Sequence, residues 1–127
     1  MLAESKLQTI VLTSRSEEAE RFYRDVLGLP IKGRSHAGVT FDVGGSDLLV
    51  GRVPSTQRSE HTVIAFAVPD LDAAIAWLTS NGVSFERFPG FPHAVDGSVV
   101  SPHGARVVWL RDPDSNLLSV VEYASRA

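Results

Sequence analysis

Along this chain the spacing of apolar positions switches between the two-residue period of a strand and the stripe of a helix. Leu7 to Thr13, "LQTIVLT", reads as a strand, and Ser14-Arg15-Ser16-Glu17 follows it as a capping-box pattern, with Ser14 as N-cap and Glu17 three residues on. Ala19, Phe22, Tyr23, Val26 and Leu27 then fall at i, i+3, i+4, i+7 and i+8, the stripe of a helix with one buried face, so Phe22 and Tyr23 are assigned to the core. Gly28 stands where a left-handed residue ends such a helix. Short strand patterns come next: "LPIKGR", "GVTFDV", a Gly44-Gly45-Ser46 turn and "DLLVGRV".

The second half repeats the order. "HTVIAFAV" from His61 to Val68 is a strand, Asp70 an N-cap, Leu71, Ala74, Ile75 and Leu78 an apolar stripe, and Asn81-Gly82 the stop. "GVSFERF", a long loop from Pro89 to His103, "ARVVWL", a turn from Asp112 to Asn116 and "LLSVVEY" complete it. Each half is therefore β-α-β-β-β, and Gly28 and Gly82 mark equivalent points about half the chain apart, the sign of a duplication. The fold class expected is α+β, with tandem modules at 1–56 and 57–127 in a single domain and the polar stretch Thr56 to Glu60 as linker. The loop Pro89 to His103 reads either as a surface loop or as a lid.

Composition narrows the function classes. The 127 residues are 43% hydrophobic and 21% charged, a globular balance. The formal net charge of -3 and the scatter of Lys and Arg argue against a nucleic-acid partner, which needs clustered cations. No apolar run approaches a membrane span, and no cysteine is present to form a disulfide, a thiolate metal site or a Cys nucleophile; a cytoplasmic protein is expected. No Gly-x-Ser-x-Gly elbow, P-loop or dinucleotide fingerprint occurs.

The duplicated units, with "AERFYRDVLGL" in the first and "RDPDSNLLSVVE" closing the second, resemble the vicinal oxygen chelate superfamily, which includes glyoxalase I, bleomycin-resistance proteins and extradiol dioxygenases. The resemblance covers nearly the whole chain. It implies two modules whose curved mixed sheets form a cup, often completed by dimerisation, and one scaffold that hosts lyases, isomerases, dioxygenases and non-catalytic binding proteins.

In metal-dependent members a divalent ion sits in the cup on His, Gln or Glu, one ligand from the first and one from the last strand of each module. Mapped onto this chain, the four positions are Gln8, Leu49, Val63 and Ser119. Leu and Val offer no donor, and a neutral amide with an un-ionised hydroxyl does not offset the cost of stripping water from a divalent cation. No metal ligands and no cofactor are therefore expected. Phe41 and Trp109, in what read as equivalent strands, are taken as aromatic walls of the cup. His93 and His103 on the long loop are weighed as acid, base or hydrogen-bond donor against plain surface histidines, and His61 as a ligand against a solvent-facing strand end. The reading is a homodimer that binds a small organic molecule among Gln8, Phe41, Leu49, Val63, Trp109 and Ser119, with no catalytic residue assigned; the alternative is a metal-dependent lyase, isomerase or dioxygenase of the same superfamily.

Overall fold

In the computed structural model, which describes residues 1–124, the chain divides into two compact units, Met1–Gln57 and a second that begins at Arg58.

The first unit is built from β1 (Thr9–Thr13), α1 (Ser16–Arg21), β2 (Ile31–Ser35), β3 (Gly38–Val43) and β4 (Ser46–Arg52), with sheet order β1-β4-β3-β2. β1 runs parallel to β4 and the other neighbours are antiparallel. Alternation along β1 buries Val11 and Thr13 and leaves Ile10 and Leu12 exposed, so one face of the sheet is core and the other is not. The core face carries Phe41 and Leu48 as a cross-strand pair, and the Tyr23 ring lies 5.9 Å from that of Phe41. Tyr23 comes from a widened helical turn, Phe22–Val26, that continues α1 and in which the Leu27 N–H donates to the Phe22 carbonyl at 3.0 Å. The helix starts at Ser16 with Arg15 as its N-cap, so the expected capping box centred on Ser14 is displaced; Thr13 Oγ1 accepts the Arg15 N–H at 3.0 Å and turns the chain there.

The second unit repeats the topology with β5 (Thr62–Ala67), α2 (Leu71–Ser80), β6 (Val99–Val100), β7 (Arg106–Arg111) and β8 (Leu117–Glu122), in the order β5-β8-β7-β6. Asp70 caps α2, its carboxylate accepting the Ala73 N–H at 3.1 Å, and Gly82 ends it in the left-handed region as Gly28 ends the first helix. Glu122 on β8 reaches the same helix end and accepts the Leu71 N–H at 2.8 Å. That contact fixes which face of the sheet the helix covers: Leu118 and Val120 share it with Glu122, as do their β7 partners Leu110 and Val108.

One expected strand is not a strand. "GVSFERF" runs beside β7 but gives it a single backbone bond, from the Glu86 N–H to the Trp109 carbonyl at 2.8 Å. The fourth strand is instead Val99–Val100, inside the segment read as a loop, paired with Val107 and Arg106. Pro89 and Gly90 cut the first segment short, and the outer edge of β7 is shared between the two.

The Asp112 to Asn116 turn is a buried polar knot. Asp112 Oδ1 accepts the N–H groups of Asp114 and Asn116, each at 2.9 Å, and Oδ2 accepts Asn116 Nδ2–H at 2.8 Å. The Arg111 guanidinium ties it down, donating to the carbonyls of Ser59 and Ser115 at 2.7 and 2.8 Å and to Glu86 at 3.0 Å. The turn thus sets where β8 begins, and with it the facing of Ser119.

Candidate functional site

The helix-free face of each sheet is where side chains stand without a covering element of their own unit. In the second unit, β7 and β8 put Trp109 directly opposite Ser119 on this face, with Ala65 on β5 as the other neighbour of Ser119. Ser119 is only 5% exposed although it lies away from the helix, whereas Ala65 and Ala67 are exposed. Beside Trp109 the segment after "GVSFER" folds back. The Phe88 and Phe91 rings stand edge-on to the indole at 5.2 and 6.0 Å, and His93 at 6.2 Å. Phe91 and His93 are stacked, 6.2 Å apart. Phe91 keeps half its surface exposed. Offset and edge-on ring pairs of this kind hold one another in place and leave π-faces for a further ring.

His93 is a fastener for this cluster. Its Nε2 accepts the Phe88 N–H at 2.9 Å and its Nδ1 meets the Gly97 carbonyl at 2.7 Å, so the bonds select the neutral tautomer with the proton on Nδ1. Both ring nitrogens are engaged, and the weighing of His93 as an acid or base gives way to a structural role. His61 and His103 are exposed. Phe88 and Phe91 were not singled out from the sequence. Their signal was present in "FPGFPH", three rings in six residues punctuated by prolines and a glycine, a density that an ordinary loop does not require.

In the first unit the helix-free face carries Ile10, Leu49 and Thr40 in one cross-strand row. Ile10 and Leu12 are 54% and 46% exposed. Gln8, immediately before β1, is exposed and shares the parity of these residues. The registers make Leu49 equivalent to Ser119, since Ile10 pairs with the first and Ala65 with the second; Gln8 and Val63 each lie two residues before those partners. Val63 is 41% exposed and sits at a register shift between Thr62 and Ile64.

Phe41 requires a correction. It pairs with Leu48, one residue away from Leu49, and is fully buried against Tyr23 on the helix-covered face. A shift of one position reverses the facing of a strand residue, so Phe41 is core, and the true counterpart of Trp109 in the first unit is Thr40.

The four positions that the resemblance assigns to metal ligands present here one amide (Gln8), two alkyl groups (Leu49 and Val63) and one hydroxyl (Ser119). This donor set does not fit a divalent cation, whose desolvation calls for carboxylate or imidazole groups. Among the described residues, no three His, Cys, Asp or Glu side chains are gathered so as to hold a metal ion, and no helix is long and apolar enough to cross a membrane.

Known proteins give the same architecture. A structure from Sphaerobacter thermophilus, described as a member of the glyoxalase/bleomycin resistance protein/dioxygenase superfamily, matches with a TM-score of 0.75 at 23% identity, covering 96% of this chain and 99% of that one. A glyoxalase family protein from Enterococcus faecalis matches at 0.74 and 18% identity, over 96% and 100% of the two chains. A lactoylglutathione lyase from Agrobacterium tumefaciens matches at 0.71 and 22%, over 94% and 93%. These identities speak for the fold. No functionally curated protein matches the sequence. The model of the Glyoxalase/Bleomycin resistance protein/Dioxygenase superfamily matches residues 7–120, nearly the whole length, and the chain belongs to that superfamily.

Proposed function

We propose that this protein binds a small, flat organic molecule without a metal, on the helix-free face of its second unit. The observation that supports it is the ring cluster of Phe88, Phe91, His93 and Trp109, which stands beside Ser119 and keeps Phe91 half exposed. Stacking on such rings selects planar apolar groups, and a single polar side chain nearby orients them. Ser119 supplies the polar group; Val63 and, on the equivalent face of the first unit, Gln8 and Leu49 are the further residues of the reading. The donor chemistry of the four assigned positions supports metal-free binding. The reading includes a homodimer, since Ile10, Leu12 and Val63 leave apolar surface exposed, and a cytoplasmic setting for a chain without cysteine.

The chain has two tryptophans, Trp77 on α2 and Trp109, so a Trp77→Phe variant reports on Trp109 alone. Titration of that variant with 8-anilinonaphthalene-1-sulfonate should give saturable energy transfer from Trp109, competed by planar organic compounds and lost in Phe91→Ala. Transfer that never saturates, or that survives Phe91→Ala unchanged, contradicts the reading. Calorimetric titration with Zn²⁺, Ni²⁺ and Mn²⁺ separates it from the metal-dependent alternative, which requires tight binding of about one ion per chain.

A further inference from the structure

The first unit contains a cavity of about 340 Å³ between α1 and the ends of β2, β3 and β4 that the proposed function does not use. Its lining is charged: Arg21, Arg24, Arg34 and Arg52 face Glu17 and Glu20, an excess of two positive charges in a chain whose net charge is -3. The pairing inside it is unequal. Glu20 is taken by Arg34, which approaches with both Nη atoms, and by Arg24 at 3.4 Å, while Arg24 also holds Asp25 at 2.8 Å. Neither Arg21 nor Arg52 has a carboxylate within ion-pair distance among the described residues, although the Arg21 charge helps to lower Glu20 and Asp25 from nearby. Arg52 is nonetheless held, its Nε donating to Ser16 Oγ at 3.2 Å, which leaves both Nη groups unspent.

The duplication supplies an independent comparison. Because Leu49 is equivalent to Ser119, Arg52 occupies the place of Glu122, three residues further on. In the second unit Glu122 closes this place by accepting the Leu71 N–H, and the neighbouring Arg106 is spent on Asp72 and Asp96 at 3.0 and 3.3 Å. In the first unit the charge is reversed, and the place of Arg106 is taken by Ala37, in the turn before β3, whose carbonyl accepts the Arg52 N–H at 2.8 Å. Where one unit is internally neutralised, the other keeps a positioned guanidinium beside an open cavity. Guanidinium Nη pairs match the oxygens of a phosphate, whose monoester carries close to two negative charges at neutral pH.

We propose that this cavity binds the phosphate group of a small phosphorylated molecule, with Arg52 and Arg21 as its anion-holding residues. The site is independent of the ring cluster of the second unit. Inorganic phosphate is the probe. In the full-length protein, phosphate should shift the backbone amide signals of Ser16 and Gly38 saturably, and Arg52→Gln should weaken that binding about tenfold or more, the worth of a charge-assisted pair of hydrogen bonds. Arg58→Gln, which removes one positive charge from the second unit, should leave it within about twofold. Acetate should bind more weakly than phosphate. The proposal is overturned if phosphate produces no saturable shift up to about 10 mM, a free energy too small for a built site, if both substitutions weaken it equally, as diffuse attraction would, or if acetate binds as well.

Discussion

The two units share topology and strand order, yet they place their ring clusters on different faces. The first places Phe41 and Tyr23 on the helix side, fully buried, and leaves Ile10, Leu49 and Thr40 on the helix-free face. The second lines its helix side mainly with aliphatic groups, Val108, Leu110, Leu118 and Val120, with Phe66 paired to Val120, and gathers a cluster of Phe88, Phe91 and His93 around Trp109 on the other face. A duplicated scaffold does not need both arrangements for stability. Phe41 and Tyr23 of the first unit are packing; the cluster around Trp109 in the second is held together on a surface that its own helix does not cover.

The largest effect should separate these two sets. Phe41→Ala opens a cavity in a fully buried site and should cost about 3 to 5 kcal/mol, read from the denaturant midpoint. Trp109→Ala should cost clearly less, because the indole is half-buried, while abolishing binding of 8-anilinonaphthalene-1-sulfonate as measured by calorimetry. Equal losses of stability would erase the distinction between packing rings and surface rings.

A smaller effect sharpens the facing of β8. Val120→Ser removes an apolar group from beneath α2 and buries a hydroxyl, which should cost about 2 kcal/mol. Ser119→Val, one residue earlier on the opposite face, should cost about 1 kcal/mol or less, since valine suits a strand. If the Val120 variant matched the parent and the Ser119 variant unfolded, the assignment of the two faces would be inverted.

The smallest effect is electrostatic. In the second unit the Ser98 side chain and backbone N–H, bonded to Asp96 at 2.6 and 2.8 Å, hold that carboxyl below its ordinary value of 3.8, with Arg106 adding to the shift. In the first unit the bond from Arg34 lowers Glu20 below 4.5. A lowered folded-state value means that each contribution is present above the ordinary value and is lost as pH falls through the lowered one. Asp96→Asn should therefore reduce stability slightly at neutral pH and flatten its decline below pH 3.8. Urea midpoints measured across that range check it, and an unchanged slope would show that Asp96 makes no such contribution.

Much of this was legible in the sequence because the signals were local. The helix stripes, Asp70, Gly28 and Gly82 specify element starts and stops through neighbouring residues, and the repeat specified the topology. What was not legible depended on register. Assigning Phe41 to the helix-free face was an error of a single position in β3, and no local pattern resolves it, because Val39 and Phe41 on one face and Thr40 on the other all suit a strand. The exchange of "GVSFERF" for Val99–Val100 as edge strand turned on which segment finds the outer edge of β7, a tertiary competition. The ring cluster depended on the same folding back: Phe88, Phe91 and His93 are close in sequence, but only their landing beside Trp109 makes a surface of them.

The central claim is that this ring surface is where a ligand sits. The most direct test is the indole N–H signal of Trp109, followed by nuclear magnetic resonance during titration with 8-anilinonaphthalene-1-sulfonate. The account predicts a large saturable shift of that signal, accompanied by shifts at Phe91 and Ser119 and with Phe41 unmoved. A Trp109 signal that stays in place while the probe binds elsewhere would contradict it.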